Sequence, residues 1–79
     1  MKTYEIVIEH YKGSHEIDVN LNSLENGISE EIETVRGLIK LNDILNTISH
    51  FKMNYAINGI IEIVYNNEYV VESEELIKI

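Results

Sequence analysis

The sequence predicts an α+β domain in which one broken or kinked helix packs on one face of a mixed sheet, in the order β-β-α-β-β-β. Three observations predict it. Two alternating segments flank a Gly13-Ser14 pair, a helical apolar period fills the middle of the chain, and β-branched runs fill the C-terminal third. Laying a helix over a sheet is the economical way to bury an apolar surface of each.

The first two elements are the best determined. "TYEIVIEHY" places Tyr4, Ile6, Ile8 and His10 on one side and Glu5, Val7, Glu9 and Tyr11 on the other. "HEIDVNLN" places Ile17, Val19 and Leu21 opposite Glu16, Asp18 and Asn20. A type II′ turn at Gly13-Ser14 pairs Lys12 with His15, His10 with Ile17, Ile8 with Val19, and Ile6 with Leu21. Turn chemistry and apolar alternation agree on that register. It also bears on metal binding. His10 and His15 fall on neighbouring strands, diagonally offset and without a third ligand, whereas a transition-metal site needs ligands that converge. A plain hairpin corner is favoured over a His-based metal or pH-sensitive site, and no metal or other cofactor is expected.

In "SLENGISEEIETVRGLIK", Leu24 to Gly27 is loop chemistry. Ser29 can cap a helix, and Glu30, Glu31 and Glu33 suit the positive end of its dipole. Ile28, Ile32, Val35 and Ile39 recur along one helical face, although Gly37 weakens the pattern by about 1 kcal/mol. A strand from Glu33 to Leu41 is the alternative. "LNDILNTISHF" continues in a new phase, with Leu41, Ile44, Leu45, Ile48 and Phe51 lying roughly 150° round from the earlier stripe. One straight helix cannot present both stripes to one sheet, so a break is expected near Lys40 to Asn42, with Asn42 as N-cap.

"MNYAING" reads as a short strand ending in an Asn58-Gly59 turn. "IIEIVYNNEYVV" reads as strand, Asn66-Asn67 turn and strand. Leu76, Ile77 and Ile79 form a terminal strand after a turn holding Glu72, Glu74 and Glu75.

The stretch "IEHYKGSHEIDVNL" resembles the first hairpin of the small ubiquitin-like proteins found with Gram-positive type VII secretion systems. "KLNDILNTI" followed by "YAINGIIEIVYNNEYVVESEELIKI" resembles the sulfur-carrier proteins of thiamine and molybdopterin synthesis. Leu41 to Ile48, Tyr55 to Gly59 and Glu72 to Ile79 occupy the matching places, and only about Ser23 to Lys40 lies outside the two likenesses. The resemblance implies a β-grasp, or ubiquitin-like, fold. The carriers have Gly-Asp in the turn before the last strand, where this sequence has Glu72-Ser73-Glu74-Glu75. They end in Gly-Gly, whose carboxylate is adenylated, where this sequence ends in Lys78-Ile79. The resemblance therefore does not carry the carrier chemistry with it.

Seventy-nine residues make a single domain, 1–79, and its core must come from packing alone because there are no cysteines. Fourteen acidic against six basic residues give a net charge of −8. That balance argues against nucleic-acid binding, which needs clustered cations, and favours partners with basic surfaces. Met1-Lys2-Thr3 leads straight into strand residues, and no apolar run reaches signal-peptide or membrane-span length, so a soluble cytoplasmic protein is expected.

No enzyme is expected either. Ser49 and His50 are adjacent on a helix and diverge, the other serines lie in turns and caps, and the four glycines are isolated. The favoured function is a non-catalytic, acidic protein-interaction module that works through Glu5, Glu9, Tyr11, Glu16 and Asp18 on the outward side of the first hairpin. A sharper form is a small inhibitor of the phage type whose carboxylates occupy a partner's basic, nucleic-acid-binding groove. A degenerate or truncated ubiquitin-like modifier or sulfur carrier is the alternative. Because "IIEIVY" is apolar on nearly every position, a homodimer that covers it is also anticipated.

Overall fold

Strand β1 (Thr3–Tyr11) and strand β2 (Ile17–Glu25) form the expected antiparallel pair, with Ile6 opposite Leu21, Ile8 opposite Val19 and His10 opposite Ile17. The computed structural model describes residues 2–66 and 69–78. The connection differs from the expected type II′ turn. Ser14 N–H donates to Tyr11 C=O at 3.0 Å, so Lys12 and Gly13 are the central residues, with Gly13 at φ +85°. Positive φ at the second central residue is the type II pattern. Ser14 Oγ then accepts from Glu16 N–H at 3.1 Å, and Ser14 to Glu16 lie outside both strands, which removes the expected Lys12–His15 pair.

The segment expected to open the helix is instead a third strand, β3 (Ile28–Leu38), antiparallel to β2. Asn26 at φ +55° and Gly27 at φ +76° make the connecting turn, the mirror-image geometry that favours hairpins. Two register shifts break the alternation of β3, one leaving Ile32 unpaired and one at Arg36-Gly37. The extra residues return Ile28, Ile32, Val35 and Ile39 to helix-like spacing although the chain is extended.

The single helix, α1 (Leu41–Asn54), starts where the apolar phase changes. That change marks a strand-to-helix junction, not a break within a helix. Lys40, in extended conformation, is the N-cap; Asn42 lies inside the first turn, and no side chain caps the helix. Met53 and Asn54 complete α1 instead of opening a strand, and Tyr55 N–H closes it onto Phe51 C=O at 2.9 Å.

Strand β4 (Ile57–Asn66) runs parallel to β1, and strand β5 (Tyr69–Lys78) is antiparallel to β4. Asn58-Gly59 makes no turn: Tyr4 aligns with Ile57 and Glu5 with Gly59, so Asn58 is an extra strand residue. Glu72, Glu74 and Glu75 belong to β5, again not to a turn, and β5 has shifts at Val71 and Leu76. The expected Asn66-Asn67 turn and Ile79 fall partly or wholly outside the described residues. The result is an α+β fold with one five-stranded mixed sheet, ordered β3-β2-β1-β4-β5, and a chain order of β-β-β-α-β-β.

Helix α1 covers one face of this sheet. Ile44 and Phe51, with Ile48 half-buried, pack on Ile6, Ile8, Val19, Leu21, Ile57 and Ile60. Leu41 and Leu45, expected on the same stripe, are exposed, because only about 100° of helix surface meets the sheet. Tyr4 and Tyr55 meet edge to face at 5.0 Å at the margin of the core. No helix among the described residues is long and apolar enough to cross a membrane.

Candidate functional site on the open face of the sheet

Strand residues of the opposite parity line the face away from α1. They are Glu5, Val7, Glu9 and Tyr11 on β1, Asp18, Asn20 and Asn22 on β2, Ile61, Ile63 and Tyr65 on β4, and Ser73 and Glu75 on β5. A concavity of about 430 Å³ crosses this face and is lined from all five strands, from Ser29 and Glu31 on β3 to Ser73 on β5. In a flat sheet the two edge strands would stand about 19 Å apart, four strand spacings. Their shared lining shows that the sheet curls, and β-bulges are the usual source of added bend and twist. Shifts occur on every pairing except the first hairpin.

The floor of this trough is unusual. Val7 and Asn20, paired side by side, are each only 6% exposed although no helix covers them. Asn20 makes no side-chain hydrogen bond among the described residues. One step along β2, Asn22 Oδ1 is sealed from solvent and also lacks a partner. Buried polar atoms are nearly always hydrogen-bonded, and leaving one unpaired costs about 1–3 kcal/mol.

Carboxylates form the rim. Burial raises the Glu5 carboxyl above the usual carboxylate range, and Glu75 adds to the effect. Gly59, paired with Glu5, has no side chain to stand between Glu5 and Glu75. Glu31 accepts from the Thr34 hydroxyl. At the far end, Tyr11 and Tyr65 stack with ring centroids 5.2 Å apart. The Tyr65 hydroxyl is pushed up to about 12 by burial first, then by the Glu9 carboxylate as acceptor and as charge, and by Tyr11. The Tyr11 hydroxyl is raised by burial and by Glu9 and Asp18, against the opposing charge of Arg36.

The structure thus brings together three of the five residues singled out from sequence. Glu5 and Glu9 line the trough and Tyr11 buttresses its end. Asp18 shares the face but is committed elsewhere: its Oδ1 accepts from Gly37 N–H at 3.0 Å, and Gly37 sits in the β3 bulge at φ +71°. Glu16 precedes β2, and its carboxylate lies beside Gly37, not in the trough. Asn20, Asn22, Ile61 and Ile63 were not singled out, although the hairpin register already set Asn20 opposite Val7. Their signal was the parity of the strand, which marks a face without saying that the face is concave.

His10 lies on the helix-covered side, where Nε2 meets Glu62 Oε2 at 2.9 Å. His15 is exposed in the connection before β2. Among the described residues no group of three or more His, Asp or Glu side chains converges as a metal site would. A second cleft, between α1 and β3, is lined by Glu33, Val35, Thr47, His50 and Phe51 among others. The Asn54 side chain, one turn beyond His50, donates to His50 C=O at 2.8 Å, a local helix-end contact. No protein-family model, curated protein or solved structure matches this chain.

Proposed function

We propose that this chain is a non-catalytic protein-interaction module that presents the open face of its sheet to a partner with a basic surface. The observation that carries the reading is the trough, where Glu5, Glu9 and Glu31 surround an apolar and amide floor and no lysine or arginine among the described residues lines it. The one contact between a basic side chain and a carboxylate among the described residues, His10 with Glu62, lies on the other face. A net charge of −8 adds long-range attraction to such a partner. A small inhibitor that occupies a basic, nucleic-acid-binding groove is the sharper form of the same reading. We also place the fold near the β-grasp: the leading strand of the first hairpin pairs in parallel with a strand that follows the helix, and the additional strand β3 before the helix is the point of difference.

The test is retention of a partner by immobilised protein, with the partner identified by mass spectrometry, against a Glu5→Lys/Glu9→Lys double variant. Binding is expected to be lost in the variant. It is also expected to weaken steeply between about 0.1 and 1 M salt, over which the screening length falls from about 10 to about 3 Å. A partner held equally well by both proteins, at either salt concentration, removes the acidic surface from consideration.

A further inference from the structure

We propose that the Glu9 end of the trough is a seat for the guanidinium of one arginine side chain of the partner, with Asn20 and Glu9 as its acceptors and Val7, Ile61 and Ile63 as the bed of its alkyl stem. The proposal rests on the interaction reading above and names the chemistry that the interface selects.

Four observations lead to it. Asn20 is almost wholly buried, makes no side-chain hydrogen bond among the described residues, and lines the trough, where its amide atoms keep a little access to solvent. A ligand donor that replaces water on that amide makes its hydrogen bond in a nearly closed site, where it is stronger than in bulk solvent. Glu9, two residues along β1 from Val7, offers a carboxylate that makes no ion pair among the described residues and that already accepts from the Tyr65 hydroxyl at the end of the trough. The Tyr65 ring, backed by Tyr11, closes the end of the trough near Glu9. Between these groups the floor is apolar: Val7, Ile61 and Ile63 lie side by side on β1 and β4.

This combination discriminates among cations. A lysine ammonium is a compact, strongly hydrated point charge and gains little from an apolar bed beside a single carboxylate. A guanidinium is planar and weakly hydrated, and offers five donors in a fixed fork, enough to serve a carboxylate and an amide carbonyl together. Its three-carbon stem covers apolar surface while the head stays with the acceptors. Acceptors at the rim and in the floor also exclude an anionic ligand.

The experiment is a titration of isotopically labelled protein with acetyl-Gly-Arg-Gly-amide and with its lysine counterpart, followed by NMR at low salt. The arginine peptide is expected to give saturable shifts at the Asn20 side-chain amide and the Tyr65 ring. The lysine peptide is expected to bind at least about tenfold more weakly, as the loss of bidentate geometry implies. Glu9→Gln should weaken the arginine peptide by a similar factor. Asn20→Val should abolish its response without lowering the melting temperature, because it removes no hydrogen bond within the described residues and places a good strand former at an almost wholly buried strand position. Equal responses to the two peptides, shifts confined to other parts of the molecule, or a fall in melting temperature with Asn20→Val overturns the seat. The outcomes also separate the two readings. Partner binding lost with Glu5→Lys/Glu9→Lys but no arginine response at Asn20 keeps the acidic interface and removes the seat. An arginine response with partner binding indifferent to those reversals keeps the seat and removes the interface.

Discussion

The two faces of the central strands are made from the same backbone and serve opposite ends. On the helix-covered face, Ile6, Val19 and Leu21 are fully buried beneath Ile44 and Phe51, and residue types are aliphatic almost throughout. On the open face, one residue away along each strand, Val7 and Asn20 are nearly as buried, yet their neighbours are carboxylates, amides and tyrosines. Depth of burial therefore does not distinguish the faces; satisfaction of buried groups does. Among the described residues the covered face has its needs met, and the open face retains one sealed acceptor without a partner, Asn22 Oδ1.

Breaking the covered face should have the largest effect. Phe51, 1% exposed, is the largest fully buried side chain, and Phe51→Ala should cost about 3–5 kcal/mol. A domain of this size has only roughly 4–12 kcal/mol in total, so the variant should be largely unfolded or close to it by circular dichroism in urea. Ile63→Ala on the open face is half-exposed and should cost about 1 kcal/mol. Similar losses for the two would erase the distinction between the faces.

Asp18 sharpens the comparison, because it is an open-face carboxylate with a structural task. Asp18→Ala removes the acceptor of Gly37 N–H and should cost about 1 kcal/mol, and Asp18→Asn, which keeps an acceptor oxygen, should recover most of that. Glu9→Gln keeps an oxygen to accept from the Tyr65 hydroxyl and should leave urea stability nearly unchanged. A charge reversal at Asp18 would therefore confuse binding with folding, and Glu5 and Glu9 are the cleaner positions for it.

The smallest effect belongs to Glu5. Its folded carboxyl is raised above the ordinary carboxylate value, first by burial and then by Glu75. A raised carboxyl favours the folded state while protonated. Its contribution is full below the unfolded value and is lost as pH rises through the folded one. Glu5→Gln should thus raise stability at neutral pH by about 0.5 kcal/mol, the scale of exposed charge effects, and leave it unchanged in acid. Urea midpoints at several pH values between acid and neutral give the comparison, and a gain confined to the acid side would contradict the assignment.

How much of this could be read from the sequence depended on where the strands are regular. The first hairpin was legible to the residue pair, since its alternation is unbroken and one glycine fixes the turn; only the turn type shifted, by one position. Strand β3 was misread because its extra residues, Ile32 and one at Arg36-Gly37, break the two-residue period and leave apolar spacings that mimic a helix. The same dipeptide gave a true signal once and a false one once. Asn26-Gly27 adopts positive φ at both residues and is a true hairpin turn, while Asn58-Gly59 continues a strand. Asn26-Gly27 has a full strand on either side, whereas Asn58-Gly59 comes directly after a helix with no strand before it to turn. The site was half legible: parity put Glu5, Glu9 and Tyr11 on one face, but the curl that joins β3 to β5 across that face depends on bulges no local pattern announced.

Those bulges have a further consequence, for the sheet's two free borders. Strand β3 is interrupted at Ile32 and at Arg36-Gly37, and β5 at Val71 and Leu76. No border offers an uninterrupted row of amides longer than a few residues, and each also carries glutamates, Glu30, Glu31 and Glu33 on one and Glu72, Glu74 and Glu75 on the other. A stray strand that tried to zip onto either border would lose register within a few residues and meet like charge if it came from a second copy. The irregularities of the strands around the open face thereby also work against edge-to-edge fibril growth at high concentration.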